Sequence, residues 1–293
     1  MTPATTASRW VTFLSDYGLD DHLVGVCQGV LARIAPDVRI IDVCHQVKPQ
    51  DVGVGASMLA EAIPYLPVAV HLALVDPFKA SAARGVAVRA VDGHVFVAPD
   101  NGVTSLAWAG AGGVAAAYEL DNRDLWAPNP ARSFRGRDVF APVAAHLARG
   151  DAIEAVGPRI DPDSLEKLVP PVPHVHGDHV HGSVRMVDHF GNLALNVRRS
   201  DLEAAGIQLG DLVELRAHGR VFEVPFLLAF GDVPAGRTVV CEDGFRAVTI
   251  AVNGGRAAHE LKAHSGDAVV LSRVHRHLGS AAAKVSVVDG PPS

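Results

Sequence analysis

The chain runs Val68-Ala-Val-His-Leu-Ala-Leu-Val75 immediately ahead of Asp76, and this stretch decides the fold. Its length and nearly continuous apolar character are typical of a strand that is covered on both faces, as in a parallel sheet. An acid at the carboxyl end of such a strand lies where open α/β sheets bind their ligands. The stretch therefore predicts an α/β domain with a site at the end of this strand.

Strand and helix patterns alternate on both sides of this stretch. The predicted strands cover residues 10–14, 38–43, 68–75, 85–90 and 94–98, and the predicted helices cover residues 20–34, 52–62 and 139–149. Such alternation is typical of an α/β layer. We therefore expect an N-terminal α/β domain over residues 1–168 with a largely parallel central sheet.

The composition changes at Val169-Pro-Pro-Val-Pro173, a stiff and extended segment. We expect an interdomain linker over residues 169–178. Short strand patterns follow one another closely from residue 179 onward, which predicts an all-β, barrel-like domain over residues 179–276. The Ala/Ser/Pro-rich residues 277–293 are expected to form a flexible tail.

Bulk composition narrows the class of protein. The 293-residue chain has a formal net charge of -6 and no block of Lys and Arg, so nucleic acid is not an expected partner. The cysteines at Cys27, Cys44 and Cys241 are scattered, as suits a reducing compartment. No secretory signal and no apolar run of about 20 residues is present, so no membrane is expected. These features predict a soluble, cytoplasmic protein.

The segment Ser15-Asp-Tyr-Gly-Leu-Asp-Asp21 joins the first predicted strand to the first predicted helix. Its acids could cap the helix and interact with its dipole. They could instead face a ligand that carries hydroxyl groups or a positive charge. Phosphate is disfavoured because the loop is acidic and lacks a glycine cradle.

Two further segments have two interpretations each, and a third has one. Residues 188–192, with Asp188, Phe190 and Asn192, form either a simple turn or a contact for a planar heterocycle. Residues 133–142 place Arg135 and Arg137 around a glycine, where they could pair with an acid or hold an anion at a helix N-terminus. Residues 99–102 read as a tight turn.

A histidine-rich segment extends from residue 174 to residue 181. Its histidines are His174, His176, His179 and His181. The His-x-His spacing places pairs on one face of a strand, and neutral imidazoles bind zinc or copper. A solvated strand face has the same pattern and is the interpretation we favour, so no metal is expected.

Eight segments in one order resemble a single family, and they extend from residue 12 to about residue 260. They are SDYGLDD, IIDVCHQVKPQDV, VDP with AARGVAV, FVAPDNGV, SFRGRDVFAPVAAHLA, VDHFGNL, FGDVPAG and IAVN. The family is that of the S-adenosyl-L-methionine (SAM) hydroxide adenosyltransferases, or SAM hydrolases, which are related to the fluorinase and the chlorinase. Each segment is weakly specific by itself, but eight in order make a chance match very unlikely.

The resemblance implies an N-terminal α/β domain, a C-terminal β-barrel and a homotrimer that binds SAM between neighbouring subunits. SAM is then a substrate, and no cofactor is implied. Family members displace L-methionine from C5′ of the adenosyl group, with hydroxide or halide as nucleophile. The implied contacts are Asp16 with the ribose hydroxyls, Asp21 with the methionine ammonium, Gln50 at the ribose, Phe190 and Phe230 on the faces of adenine, Asn192 on its edge with Asp188 nearby, and Gly244 and Phe245 around the methionine tail.

The implied chemistry needs no metal, because a sulfonium already expels its neutral thioether. The enzyme must align the nucleophile with C5′ and remove its water shell. Hydroxide is scarce at neutral pH, so a hydrolase must also prepare it from water.

The sequence departs from the Asp–Arg–His set that the hydrolases use for this preparation. Asp76 is retained, but Ala83 replaces the first arginine and only the second is present, as Arg84. Arg135 stands at the histidine position. The family's Gly-Val-Gly is here Phe-Lys-Ala, which introduces Lys79.

Three functions stay open at this point. The first is SAM hydrolysis with Asp76, Lys79 and Arg135 as catalytic residues, where a cation favours hydroxide. Arg135 cannot replace a histidine as proton carrier, since its guanidinium stays protonated. The second is adenosyl transfer to another anion, such as halide, held by Lys79 and Arg135. The third is binding of SAM or adenosine without turnover.

Overall fold

A computed structural model describes residues 9–75 and 83–274 of the chain. Its contacts divide the chain into two units, residues 1–169 and 170–293. Two of the predicted catalytic residues, Asp76 and Lys79, lie outside the described residues, and so does the predicted tail. No helix within the described part is long and apolar enough to span a bilayer.

The first unit alternates strands and helices. Its elements are β1 (Trp10–Ser15), α1 (Leu23–Ile34), β2 (Arg39–Cys44), α2 (Val52–Ala62), β3 (Val70–Leu74), β4 (Gly85–Ala90), β5 (Val95–Pro99), α3 (Ser105–Gly110), β6 (Val114–Glu119), α4 (Ala141–Ala148) and β7 (Arg159–Ile160). A π-helical turn, Gly136–Phe140, leads directly into α4.

The seven strands form one sheet in the order β2-β1-β3-β5-β4-β6-β7. The α/β class is confirmed, but the sheet is mixed rather than largely parallel. The pairs from β2 to β5 are parallel, and those of β5–β4, β4–β6 and β6–β7 are antiparallel. Residues 91–94 alone separate β4 from β5, and such a short connection allows only an antiparallel hairpin, because parallel strands need a crossover.

Apolar residues cover both faces of this sheet. Every residue of β3 is buried, as the opening stretch of the sequence predicts. One face packs Phe13 and Leu72 against α1 and α4, and the other packs Leu14 and Phe96 against α2 and α3. Because helices cover both faces of the sheet, the polar loops lie at the ends of its strands.

The second unit contains strands and two short helices. Its elements are β8 (His174–His176), β9 (His179–Val187), β10 (Leu193–Arg198), α5 (Arg199–Ala204), β11 (Leu212–Ala217), β12 (Arg220–Pro225), β13 (Thr238–Glu242), β14 (Ala247–Val252), α6 (Ala257–Leu261) and β15 (Ala268–Arg273). The predicted linker over residues 169–178 thus includes strand β8.

These strands form a sheet in the order β12-β11-β15-β9-β10-β14-β13, and β8 pairs with β9. All of the ladders are antiparallel. A bridge between Phe226 and Val240 joins the end of β12 to β13. The sheet therefore nearly closes on itself around its own apolar core, as the predicted barrel-like domain requires.

Candidate functional site

The loops that follow β1 and β2 meet at Asp16. The Asp16 carboxylate accepts a hydrogen bond from the backbone N–H of Gln50, with 3.0 Å between Oδ2 and N. The Asp16 N–H donates to the carbonyl of Leu74, at the end of β3, over 3.2 Å. Gln50 has a positive φ of 69°. The fold therefore brings the carboxyl ends of three parallel strands together, with two predicted site residues in direct contact.

A hydrogen-bonded chain of side chains lies beside this loop. The Ser15 hydroxyl lies 2.8 Å from Nδ1 of His45, and Nε2 of His45 lies 2.9 Å from the Asp42 carboxylate. Gln28 also donates to Asp42, and the His45 carbonyl accepts from the N–H of Gly18 over 2.7 Å. Sequence reasoning missed this group. The sequence feature that could have indicated it is an Asp and a His three residues apart where β2 ends, within the segment IIDVCHQVKPQDV.

Asp21 lies at the start of α1 and is exposed. Its carboxylate accepts a hydrogen bond from the N–H of Leu23 over 2.8 Å. Asp21 lies one residue before the N-cap of α1, His22, so this hydrogen bond ties the loop to the first residue of the helix. Exposure of the carboxylate also keeps it accessible to a cationic ligand.

The turn at residues 99–102 holds the chain on both sides of residues 76–82. Asn101 donates from Nδ2 to the carbonyl of Val75 over 2.8 Å. Asp100 accepts from Nε of Arg84 over 2.9 Å and donates its own N–H to the Arg84 carbonyl. The side chain of Asp100 is only 8% exposed. Arg84, the surviving arginine of the family pair, is therefore committed to an ion pair that supports the fold.

Arg135 lies at the beginning of the π-helical turn. Its Nη1 donates to the carbonyl of Ala83 over 2.7 Å, and its guanidinium lies 5.1 Å from the centre of the Phe140 ring. The next arginine, Arg137, donates twice to Asp138, over 2.6 and 2.7 Å. These hydrogen bonds hold the pKa of Asp138 below its ordinary value. Arg137 therefore pairs with an acid, and Arg135 instead contacts the backbone at Ala83.

Gly136 follows Arg135 and has no room for a side chain. A Cβ atom at this position would collide with the hydroxyl of Tyr17 and would lie 3.1 Å from Cδ1 of Leu74. The Tyr17 ring packs edge-on against Phe134, with 5.9 Å between the ring centres. The tyrosine beside Asp16 and the start of the π-helical turn thus form one tightly packed corner.

In the second unit, three predicted residues share the turn between β9 and β10. The N–H and the Nδ2 of Asn192 donate to the two carboxylate oxygens of Asp188, each over 2.8 Å. Phe190, between them in sequence, is 70% exposed. The turn therefore has a rigid polar base and presents an aromatic ring to its surroundings.

Phe230 is also exposed, at 58%, and begins a short helical turn. This segment continues to Val233, whose carbonyl accepts from Nδ2 of Asn253 over 2.6 Å. Asn253 directly follows β14, at the end of the ladder where Ile250 pairs with Leu193. Phe230 and the turn containing Phe190 thus belong to the same end of the sheet.

Gly244 and Phe245 lie in the turn between β13 and β14. Asp243 organises this turn by accepting from the N–H groups of Phe245 and Ala247 over 2.8 and 2.9 Å. Arg198, the last residue of β10, donates to the Phe245 carbonyl over 2.7 Å. This turn therefore lies at the opposite end of β10 from Asn192, and the second unit does not bring the two groups of predicted residues together.

The histidine-rich segment forms a β-hairpin. His174 pairs with His181, and His176 pairs with His179. His179 lies 2.7 Å from the carboxylate of Asp178. Among residues 9–75 and 83–274, no three His, Cys, Asp or Glu side chains are arranged to hold a metal ion.

Comparison with known proteins gives one consistent result. Residues 11–157 match the family model described as SAM hydroxide adenosyltransferase N-terminal domain, and residues 182–270 match that of its C-terminal domain. An (R)-S-adenosyl-L-methionine hydrolase of Salinispora tropica is 46% identical over 88% of this chain and 95% of its own length. An (R)-S-adenosyl-L-methionine hydrolase of Thermus thermophilus is 39% identical over 90% of this chain and 99% of its own length.

More distant relatives and solved structures agree with this result. A fluorinase of Nocardia brasiliensis is 29% identical over 76% of this chain and 82% of its own length. A crystal structure of an uncharacterized conserved protein from Thermotoga maritima superposes with a TM-score of 0.83 at 37% identity. That match covers 90% of this chain and all of the Thermotoga maritima chain.

Proposed function

Because the chain belongs to the SAM hydroxide adenosyltransferase family, we propose that it hydrolyses SAM to adenosine and L-methionine. The observation that carries this proposal is the nearly full-length match, at 39 to 46% identity, to relatives named (R)-S-adenosyl-L-methionine hydrolase. Fluorinases match at 28 to 29% identity. The same names support the (R) form of SAM as the substrate.

In the first unit, the ribose would lie at the ends of β1, β2 and β3. The contact between Asp16 and the N–H of Gln50 supports this position, since a carboxylate fixed at a strand end can accept from two vicinal hydroxyls. Asp21 is exposed and anionic, which suits the methionine ammonium. An acidic loop without a glycine cradle favours such groups over a phosphate.

In the second unit, adenine would lie at the end of the sheet that carries Phe190, Phe230 and Asn192. Two exposed rings at one end of the sheet support stacking on both faces of a planar base. Asp188 supports this role by holding the backbone and the side chain of Asn192. Gly244 and Phe245, at the other end of β10, would contact a different part of the ligand, which agrees with their assignment to the methionine tail.

We assign preparation of the attacking water to Asp76, Lys79 and Arg135. The contact from Arg135 to the Ala83 carbonyl supports this assignment, because Ala83 is only four residues after Lys79 in the sequence. A guanidinium stays protonated and cannot remove a proton. Arg135 would therefore stabilise the hydroxide, while Asp76 would orient the water, accept the proton that it loses and later release that proton to solvent.

The proposal includes a homotrimer with active sites at the subunit interfaces. The large exposed rings of the second unit support it, since aromatic side chains are enriched where one chain covers another.

The decisive experiment incubates the pure protein with SAM and follows adenosine and methionine by chromatography. Adenosine release above the protein-free rate is expected, and its absence would contradict the proposed hydrolysis. Parallel reactions with added chloride or bromide test the alternative nucleophile, because a 5′-halogenated nucleoside would then form instead. Calorimetric binding of SAM without any product would favour a binding relative.

The substitution Asp76→Asn tests the proposed role of the Asp76 carboxylate. It should abolish adenosine release and leave the calorimetric affinity for SAM close to that of the parent, because the amide keeps the shape and loses the charge. Unchanged turnover would remove Asp76 from the mechanism.

A further inference from the structure

Ser15, His45 and Asp42 form a continuous hydrogen-bonded chain at the base of the loop that carries Asp16. The two links through the His45 ring are 2.8 Å to Ser15 and 2.9 Å to Asp42. Ser15 is fully buried, and the His45 side chain is only 3% exposed. Phe13 packs edge-on against the His45 ring, with 4.6 Å between the ring centres. The ring is therefore held by packing as well as by polar contacts.

The direction of these hydrogen bonds follows from the chemistry of the three groups. An ionised Asp42 can only accept, so Nε2 of His45 must carry the proton that it shares with Asp42. Nδ1 of a neutral His45 then accepts, and the Ser15 hydroxyl donates to it. The Ser15 oxygen in turn accepts from the N–H of Tyr17 over 3.4 Å. The chain therefore ends on the backbone of the loop itself.

Serine, histidine and aspartate also form the triads of nucleophilic hydrolases. Here, however, Ser15 has no exposed surface that a substrate could reach. Its oxygen is also engaged on both sides, by His45 and by the Tyr17 N–H. The arrangement therefore suits holding a neighbouring group in position rather than attacking a substrate.

Asp16 lies between two contacts to the same histidine. Before it, Ser15 contacts the His45 ring, and after it, Gly18 donates its N–H to the His45 carbonyl over 2.7 Å. The Asp16 carboxylate then meets the N–H of Gln50, five residues beyond His45. One residue thus fixes the backbone on both sides of the carboxylate.

We propose that His45 is a positioning residue for nucleoside binding, with its ring fixed by Ser15 and Asp42 so that Asp16 and Gln50 meet the ribose. This inference rests on the proposed function, in which those two residues contact the ribose. It assigns to Ser15, His45 and Asp42 a role in binding that they exert through Asp16 and Gln50.

The test compares His45→Ala and Ser15→Ala with a matched control, His71→Ala. His71 is fully buried in the same sheet, and its Nδ1 lies 2.7 Å from the hydroxyl of Thr12, another residue of β1. Calorimetric dissociation constants for adenosine and SAM should rise about tenfold in the first two variants, the usual scale for a lost buried hydrogen bond. The control should lower the melting temperature and leave both constants unchanged.

Asp42→Asn provides a test with little risk to folding, because the Asp42 side chain is half exposed. An amide that presents its NH₂ to Nε2 would place the ring proton on Nδ1 and reverse the hydrogen bond to Ser15. Weaker adenosine binding with an unchanged melting temperature is expected. His45→Asn, which keeps an acceptor near the position of Nδ1, should bind more tightly than His45→Ala.

The outcomes separate this inference from the proposed function. If the parent protein binds adenosine and the three variants at His45, Ser15 and Asp42 bind it equally well, the positioning role is wrong. Equal weakening by His71→Ala would also overturn it, since the effect would then be general. A parent that binds neither adenosine nor SAM overturns the inference and the proposed function together. A parent that binds both without hydrolysis contradicts hydrolysis alone, and the affinities still decide the role of His45.

Discussion

At the scale of single residues, Gly136 shows how a missing side chain shapes the site. The space that its Cβ atom would occupy is taken by the hydroxyl of Tyr17, with Leu74 close by. Glycine at this position therefore lets the backbone beside Arg135 approach the loop of Asp16 more closely than any other residue type would allow. A small residue is required here by packing, independently of which nucleophile the protein uses.

Gly136→Ala should destabilise the protein by about 1 to 3 kcal/mol, the usual cost of overpacking. The added methyl group must displace Tyr17, and adenosine release should fall because Tyr17 adjoins Asp16. Urea unfolding and initial rates would measure the two effects.

A second substitution checks the cause of this loss. Tyr17→Phe removes the oxygen that the methyl group would meet, so the double variant should recover part of the stability that Gly136→Ala loses. If the loss of stability in the double variant equals the sum of the losses in the two single variants, the collision is not the cause.

At the scale of elements, a buried polar chain crosses the centre of the first sheet. Nδ1 of His71, on β3, lies 2.7 Å from the hydroxyl of Thr12, on β1, and its Nε2 lies 2.6 Å from Nδ1 of His94, just before β5. Burial lowers the pKa of His71 to about 3, with a further lowering by His94. Burial also lowers the pKa of His94, against an opposing effect of Asp92.

These shifts predict that the protein loses stability as the pH falls below about 6.5. In that range the unfolded chain binds more protons on the two histidines than the folded chain does, so the free energy of unfolding decreases. His71 alone should contribute a loss of about 2 kcal/mol between pH 7 and pH 5. Urea unfolding at the two pH values would measure it.

His71→Gln is the matched variant for this measurement. It removes one of the two titrating groups, so its stability should depend less steeply on pH than that of the parent. Equal slopes in the parent and in His71→Gln would contradict the role of His71.

Elements were predictable where the sequence signal was long and apolar. Helix α2 and strand β4 have the predicted bounds. Strand β6, with the sequence VAAAYE, was missed because alanine has little strand preference and the pairing with β4 and β7 defines it. Helices α5 and α6 are too short to show a helical period.

The candidate site was predictable only in part, for a physical reason. Residue types and the resemblance pointed to Asp16 and Gln50, but nothing local shows that two loops 34 residues apart share a hydrogen bond. The sequence gives no sign that Arg84 pairs with Asp100, because their ion pair arises from the hairpin of β4 and β5. Contacts between segments that are distant in sequence can be identified only once the topology of the fold is known.

At the scale of the whole molecule, the chain consists of two units with separate apolar cores. Each carries part of the proposed site, the acidic loops in the first and the aromatic turns in the second. Large exposed rings such as Phe190 are costly for an isolated chain, because apolar surface in contact with water is unfavourable.

We expect light scattering to give the mass of a homotrimer, about 92 kDa from a chain of 30.7 kDa. Addition of adenosine should raise the melting temperature of this species, since a ligand that binds only the folded form stabilises it. A mass of one chain at micromolar concentration, with normal hydrolysis, would contradict the trimer. Phe190→Ser should weaken adenosine binding, and Val91→Ser, at an exposed valine of the first unit, serves as its control.

The turn at Asp100 and Asn101 has a consequence for how this protein can be engineered. It secures Val75 on one side and Arg84 on the other, so the anchoring of the intervening stretch is encoded elsewhere in the chain. Under the proposed function this short stretch carries Asp76 and Lys79, so it is the region to randomise in a search for a different nucleophile. The flanking positions Val75 and Arg84, which the turn holds, should be kept unchanged in such a library.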